Sequence, residues 1–121
     1  MTWSYNSERG LCFQDGILRG TGYSGHGEGL NNPAMEAVHG VGPIPRGDYK
    51  IVRWDDMHGK LGPLVAILEP VAPFNAYGRT LLRIHGDNEL QNQSASDGCV
   101  ILGHWVRDQM MKSGDADFRV V

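Results

Sequence analysis

Short apolar runs, each followed by a turn signal, constrain this chain more than any other feature. The first twenty residues hold three such runs, at Thr2–Tyr5, Leu11–Phe13 and Ile17–Arg19. Asp15 and Gly16 separate the last two runs, and an Asp-Gly pair between apolar segments is a strong hairpin signal. The beginning of the chain therefore predicts a β-meander.

The rest of the chain continues this pattern with one exception. Asp48–Trp54 alternates as a strand should, and Leu64–Leu68 is a continuous apolar run of strand length, which predicts a central strand. After Leu102 the apolar spacing becomes helical until Ser113, and Phe118–Val121 predicts a short edge strand. We predict a mainly β fold, a small β-sandwich or barrel-like core with one C-terminal helix, as a single domain over residues 1–121.

Composition excludes two classes of function. The 121 residues carry a net charge of -3, and Lys and Arg form no cluster, so the chain lacks the basic surface that binds nucleic acid. No apolar run reaches the ~18 residues of a membrane span. The first residues also lack the basic and apolar regions of a secretory signal.

A long segment without periodicity, Gly20–Gly47, predicts a functional loop. Its glycines do not match a phosphate-binding motif, because no Gly-Lys-Ser/Thr follows them. We expect it to form one wall of a substrate groove that presents Tyr23, Ser24 and a further candidate, His26. A plain connecting loop is the alternative.

Two residues predict the chemistry. Thr80–Ile84 is expected to be a strand ending at His85, and Cys99–Leu102 is apolar enough for a buried strand or a helix start. If these elements are neighbours, the imidazole can activate the thiol and later protonate a leaving amine. Gly98 keeps the backbone open, and the amides around Gly98 and Cys99 could bind an oxyanion.

The alternatives are less favourable. Cys12 could form a disulfide with Cys99, although a buried free thiol in a short strand is the simpler interpretation. His104 is a second candidate base, but a helix beginning at Cys99 would point the two side chains in different directions. Zinc sites use paired cysteines or close His/Cys sets, which are absent from the sequence, so we expect no metal and no cofactor.

The motifs resemble those of a known family. The order His85-Gly86, linker, Ser-x-Gly-Cys over 96–99 is similar to the signature of the L,D-transpeptidase catalytic domain, the YkuD-like family. Gly22–Gly25 (GYSG) and Gly42–Ile51 (GPIPRGDYKI) resemble its compact branch, which includes type VI secretion effectors with L,D-carboxypeptidase and transpeptidase exchange activity.

The resemblance implies roles for individual residues. Cys99 would be acylated by a peptidoglycan stem peptide, His85 would be its base, and the Gly86 carbonyl would orient the imidazole. Many members carry a second histidine where this chain has Asp97, and arginine or asparagine where it has Ile101. Arg46 could pair with a stem carboxylate, or it could be a solvated turn residue. The substrate-binding candidates are Ser96, Asp97, Tyr23, Ser24, Arg46 and Arg83.

The resemblance also implies a biological setting. We expect an antibacterial toxin that is made in the cytoplasm without a signal peptide and acts in the periplasm of a target bacterium. A type VI secretion apparatus is the favoured route and phage lysis the alternative, with a possible immunity protein as partner. Water, a free D-amino acid or a second stem would make the enzyme a carboxypeptidase, an exchange enzyme or a cross-linking transpeptidase. An inactive cell-wall binding module and a cysteine peptidase or amidase of other specificity are the competing functions.

Overall fold

Eight strands form a closed barrel in a computed structural model, which describes residues 2–57, 62–87, 96 and 98–121. Around the barrel the strands follow the order β1, β2, β3, β7, β6, β5, β4, β8. The helix α1 lies between β7 and β8 in the chain. The predicted mainly β, barrel-like fold with one C-terminal helix is confirmed. The elements are β1 (Trp3–Asn6), β2 (Leu11–Gln14), β3 (Ile17–Ser24), β4 (Gly47–Met57), β5 (Gly62–Pro70), β6 (Arg83–His85), β7 (Val100–Leu102), α1 (His104–Ser113) and β8 (Asp117–Val120).

The predicted hairpin is present, and its second strand is longer than expected. Asp15 and Gly16 both have positive φ, 49° and 82°, which is the geometry of a two-residue turn between twisted strands. β3 continues to Ser24 and pairs with β7, Tyr23 facing Ile101. The prediction of a loop from Gly20 onward is therefore wrong for its first five residues. Their sequence has no hydrophobic periodicity, and they form a strand because they pair with β7.

The prediction that Phe118–Val121 forms an edge strand is also wrong. β8 pairs in parallel with β1, Trp3 facing Phe118, and antiparallel with β4, Tyr49 facing Phe118. Buried and exposed residues alternate along β8, as they do in many strands at the edge of a sheet. Both backbone edges of β8 are nevertheless paired. β8 thus closes the barrel.

The core lies inside the barrel and beneath α1. Its large fully buried side chains include Trp3, Tyr49, Phe118 and Met110. Each buried apolar side chain of this size contributes about 1.5–3 kcal/mol through removal from water. The Trp3 indole N–H also donates to Ser113 Oγ at 3.1 Å, which ties the end of α1 to β1. This core fixes the strands whose outer face carries the candidate site.

Candidate active site

Parallel pairing of β6 and β7 brings the candidate nucleophile and base together. Ile84 faces Val100 and His85 faces Ile101 across this pair. Cys99 immediately precedes β7, and if the alternation of the strand is carried back to it, Cys99 is on the same face as His85 and Ile101. Ile84 and Val100 point into the core, where both are completely buried. The site is therefore on the outer face of the barrel.

The imidazole of His85 is held in one orientation by its own neighbour. Nδ1 lies 2.8 Å from the Gly86 carbonyl oxygen. A carbonyl can only accept, so Nδ1 carries a proton and a neutral His85 has its lone pair on Nε2. This is the tautomer that a base for a thiol proton requires.

Burial favours the neutral form of this base. Only 3% of His85 is exposed. Burial lowers the pKa of His85 below its ordinary value, and the guanidinium groups of Arg107 and Arg83 lower it further. The bond to Gly86 and the carboxylate of Asp87 act in the opposite direction but do not reverse the shift. At neutral pH the imidazole is ready to accept a proton.

The backbone at Cys99 is fixed by two serine hydroxyls. We call Ser96, Gly98 and Cys99 the nucleophile turn. Ser96 Oγ donates to the Cys99 carbonyl oxygen at 2.6 Å, and Ser24 Oγ, from the end of β3, donates to the same oxygen at 2.8 Å. Both hydroxyls also accept backbone N–H groups, Ser96 from Gly25 at 2.9 Å and Ser24 from Ile44 at 2.8 Å. Both serines are fully buried, so these bonds compete with no water.

A buried guanidinium lies against the nucleophile turn. Arg79 donates to the carbonyl oxygens of Glu36 and Pro43, each at 2.7 Å, and of Gly42 at 3.1 Å. A methyl group built on Gly98 would overlap a guanidinium nitrogen of Arg79, and Gly98 has φ of 132°. Burial lowers the pKa of Arg79, and negative charge on Cys99 opposes that shift. Arg79 is therefore a buried cation next to the Gly98 backbone.

The oxyanion contacts predicted at this turn are only in part available. The Gly98 N–H already donates to Ser96 Oγ at 3.1 Å. An oxyanion would have to compete with that bond for the Gly98 amide.

The Cys99 side chain is partly exposed and points towards a strained residue. Sγ donates to the Leu81 carbonyl oxygen at 3.5 Å. Leu81 has φ of 59° and is 71% exposed. A bulky residue in the left-handed region costs about 1–3 kcal/mol, and such residues concentrate at functional sites.

The predicted substrate-binding residues occupy different positions. Ser24 and Ser96 are buried within the nucleophile turn network. Tyr23 is 5% exposed and its hydroxyl donates to Asp87 Oδ1 at 2.6 Å. Arg46 binds Glu36 through Nε at 2.8 Å, so its charge is partnered within the chain. Arg83 is half-buried at the start of β6, whereas Asp97 lies outside the described residues.

The alternative histidines and cysteine have other positions. His26 Nδ1 donates to the Ser96 carbonyl oxygen at 2.8 Å, so this histidine contacts the nucleophile turn. His104 is exposed at the start of α1. Cys12 and Cys99 are both free thiols, and burial raises the pKa of Cys12 to about 12. Among these, only His26 joins the site.

Sequence reasoning missed four residues that the fold brings to the site. They are Glu36, Arg79, Asp87 and Arg107. Arg107 on α1 is buried and donates to the carbonyl oxygens of Leu102, Pro63 and Leu64 at 2.9–3.0 Å. Buried arginine is rare and is recognised by its partners, which here are backbone carbonyls without a sequence signature. Asp87 alone offered a signal, because it lies two residues after the predicted base.

The chain belongs to a family of type VI secretion effector domains, the Tlde1 domain family, whose model matches residues 19–117. The match includes the nucleophile turn, His85 and the loop that carries Glu36. No curated protein and no solved structure matches the chain.

Neither a metal cluster nor a membrane-spanning helix is present among the described residues. In residues 2–57, 62–87, 96 and 98–121, no three His, Cys, Asp or Glu side chains come together to hold a metal ion. The helix in this part of the chain is too short and too polar to cross a membrane.

Proposed function

We propose that this domain is a cysteine acyltransferase that modifies peptidoglycan, acting on tetrapeptide stems as an L,D-carboxypeptidase, an exchange transpeptidase or both. The observation that carries the proposal is the parallel pairing of β6 and β7, in which His85 ends one strand and Cys99 immediately precedes the other, with His85 Nδ1 bound to Gly86. Membership of an effector family supports an antibacterial role. The periplasm of a target bacterium is the compartment that holds such a substrate, and an immunity protein is the expected partner in the producing cell.

The reaction follows from the positions of these groups. His85 Nε2 accepts the Cys99 thiol proton while Sγ attacks the carbonyl carbon of the third stem residue. We expect the backbone amides of Gly98 and Cys99 to stabilise the resulting oxyanion. The carbon–nitrogen bond then breaks, and the imidazolium returns its proton to the departing D-alanine amine. Water or a D-amino acid attacks the thioester and regenerates the thiol.

The test is mass spectrometry of purified tetrapeptide and pentapeptide muropeptides after incubation with four variants. Cys99→Ala is matched by Cys12→Ala, which removes the other thiol. His85→Ala is matched by His104→Ala, which removes an exposed imidazole. We expect loss of one alanine from tetrapeptides, and a mass shift when a D-amino acid is added, with both controls active and both site variants inactive.

Two results would contradict the proposal. Full turnover by Cys99→Ala would show that Cys99 is not the nucleophile. If wild-type protein binds sacculi but leaves every stem unchanged, the domain is a binding module. Cleavage at a different bond would instead give other product masses and identify another amidase or peptidase activity.

A further inference from the structure

One buried guanidinium bridges two strands across the end of the strand that carries the base. Arg107 on α1 is only 6% exposed. Its Nε donates to the carbonyl oxygen of Leu102, the last residue of β7, at 3.0 Å. Its Nη1 donates to the carbonyl oxygens of Pro63 and Leu64 in β5, at 2.9 and 3.0 Å. Since β6 lies between β5 and β7 in the barrel, the guanidinium spans the end of β6.

Strand register puts these contacts on both sides of Gly86. The antiparallel register of β5 and β6, carried two steps beyond its last pair, places Leu64 opposite Gly86. The parallel register of β6 and β7, carried one step beyond its last pair, places Leu102 opposite Gly86 from the other side. Arg107 therefore binds the two residues that flank Gly86 in the sheet.

The guanidinium also packs against Gly86 itself. A methyl group built on Gly86 would lie 2.7 Å from Nη2 of Arg107, which is closer than any ordinary contact. The Gly86 carbonyl oxygen is the acceptor for His85 Nδ1 at 2.8 Å. A rotation of this peptide would have to displace the guanidinium, and the hydrogen bonds to β5 and β7 resist that displacement. The orientation of the imidazole therefore depends on a helix that does not touch substrate.

Backbone strain accompanies this contact. Leu64 has φ of 61°, in the left-handed region that a leucine seldom adopts. Such a conformation persists only where the surrounding structure holds it, and strained residues concentrate at functional sites. Here the carbonyl of the strained residue is one of the groups that Arg107 binds. Strain at this point of β5 favours a role for the contact beyond general packing.

We propose that Arg107 is a positioning residue for the catalytic base, because it holds the Gly86 peptide so that its carbonyl accepts from His85 Nδ1. The inference rests on the proposed function, in which Nε2 must be free to take the thiol proton of Cys99. The planar fork matters as well as the charge, since its nitrogens reach two strands and Gly86 together. A lysine ammonium is a single point and cannot make all of these contacts.

The experiment measures the tautomer of His85 directly, by two-bond proton–nitrogen NMR of ¹⁵N-labelled protein at mildly alkaline pH, where the imidazole is neutral. The chain has five histidines, so the His85 signal is assigned by its absence from His85→Ala. We expect a single Nδ1–H tautomer in wild-type protein. Arg107→Gln and Arg107→Lys should both show a mixture with the Nε2–H form, and kcat/KM for tetrapeptide stems should fall by about 10- to 100-fold.

Two further variants separate positioning from stability. Gly86→Ala keeps the guanidinium and every charge and requires no unusual φ, but its methyl group would displace Arg107 from the other side. It should give the same tautomer mixture, and it tests the contact even if the Arg107 variants do not fold. Met110→Ala is the control, because it removes a fully buried side chain from the same helix. Below its lowered melting temperature, it should keep the wild-type tautomer and kcat/KM.

Each outcome decides the inference. A wild-type tautomer in both Arg107→Gln and Gly86→Ala would overturn it. An equal fall of kcat/KM in Met110→Ala would assign the loss to stability and contradict it too, and wild-type behaviour of Arg107→Lys would show that charge alone suffices. If wild-type protein releases no D-alanine from any stem, the proposed function fails. The tautomers of Arg107→Gln and Gly86→Ala would then still show whether Arg107 orients the imidazole.

Discussion

The two sides of Cys99 differ in how their polar groups are used. On the side of β3, two buried serines, Ser24 and Ser96, have their hydrogen bonds satisfied by backbone groups of the nucleophile turn and the neighbouring loop. On the side of β6, Arg83 has no ion pair among the described residues and Leu81 is 71% exposed. One side fixes the thiol, and the other is open for a ligand. Positioning and recognition therefore depend on different residues and can be changed separately.

The largest effect is expected from Gly98→Ala, because Gly98 is part of the nucleophile turn. The new methyl group would overlap Arg79 and force a side chain onto φ of 132°. We expect a loss of about 2–5 kcal/mol in the free energy of unfolding and at least ~100-fold in kcat/KM. Denaturant unfolding and the muropeptide assay measure these two quantities.

Gly16→Ala is the matched control for this variant. Gly16 also has positive φ, 82°, but has open space around it, so only about 1–2 kcal/mol of backbone strain is expected, with activity retained. If both variants lose the same stability and activity, contact with Arg79 is unimportant.

Ser24→Ala should give the next largest effect. It removes one donor to the Cys99 carbonyl and leaves the buried Ile44 N–H without its acceptor, which costs about 1–3 kcal/mol. A displaced thiol should lower kcat/KM by about tenfold. Ser4→Ala on β1 is the control, and preserved activity in Ser24→Ala would show that Ser96 alone is sufficient.

A change in the pH profile is expected from Asp87→Asn. The catalytic imidazole must be neutral, and its pKa is already lowered by burial, so the acid limb of kcat/KM should lie below the ordinary histidine value of about 6.5. Asp87 raises the pKa of His85, and its removal should move that limb to lower pH. Asp15→Asn, in the first hairpin, should leave the profile unchanged. Movement to higher pH would exclude this role for Asp87.

The smallest effect is expected from a change at the ion pair between Arg46 and Glu36. Burial opposes ionisation of Glu36, but hydrogen bonds from Arg46 and Tyr77 outweigh it and lower the pKa of Glu36. The Arg46 side chain is 52% exposed, so Arg46→Gln should cost about 1 kcal/mol or less at pH 7.

Dependence on pH distinguishes this pair from an ordinary surface pair. A lowered carboxyl pKa stabilises the fold above the unfolded value of about 4.3 and loses that contribution as pH falls. The stability difference between wild type and Arg46→Gln should therefore shrink in acid, as followed by denaturant unfolding. Arg119→Gln, whose pair with Asp48 is exposed on both sides, should cost less. An equal cost would mean that burial of Glu36 adds nothing.

The sequence predicted the elements of the site better than its surroundings. Strand ends at His85 and Cys99 follow from local apolar patterns, and their adjacency was a reasonable expectation for neighbouring elements. The arginines at positions 79 and 107 were not predictable, because their partners are carbonyls whose positions depend on the complete fold. Ser24 was predicted to face substrate but faces the turn, since continuation of β3 buries it. Two-sided pairing of β8 likewise depends on β1 and β4, which are distant in the chain.

Closure of the barrel affects how other molecules can bind it. Each of the eight strands is paired on both sides, with β8 joining β1 to β4. The described sheet therefore offers no row of unpaired backbone groups to which a peptide or an inhibitor could add a strand. A peptide or a protein partner must instead be recognised through side chains and loops, and these can be substituted without disturbing the sheet. Resistance to an inhibitor could thus evolve at the surface of this domain while its barrel stays the same.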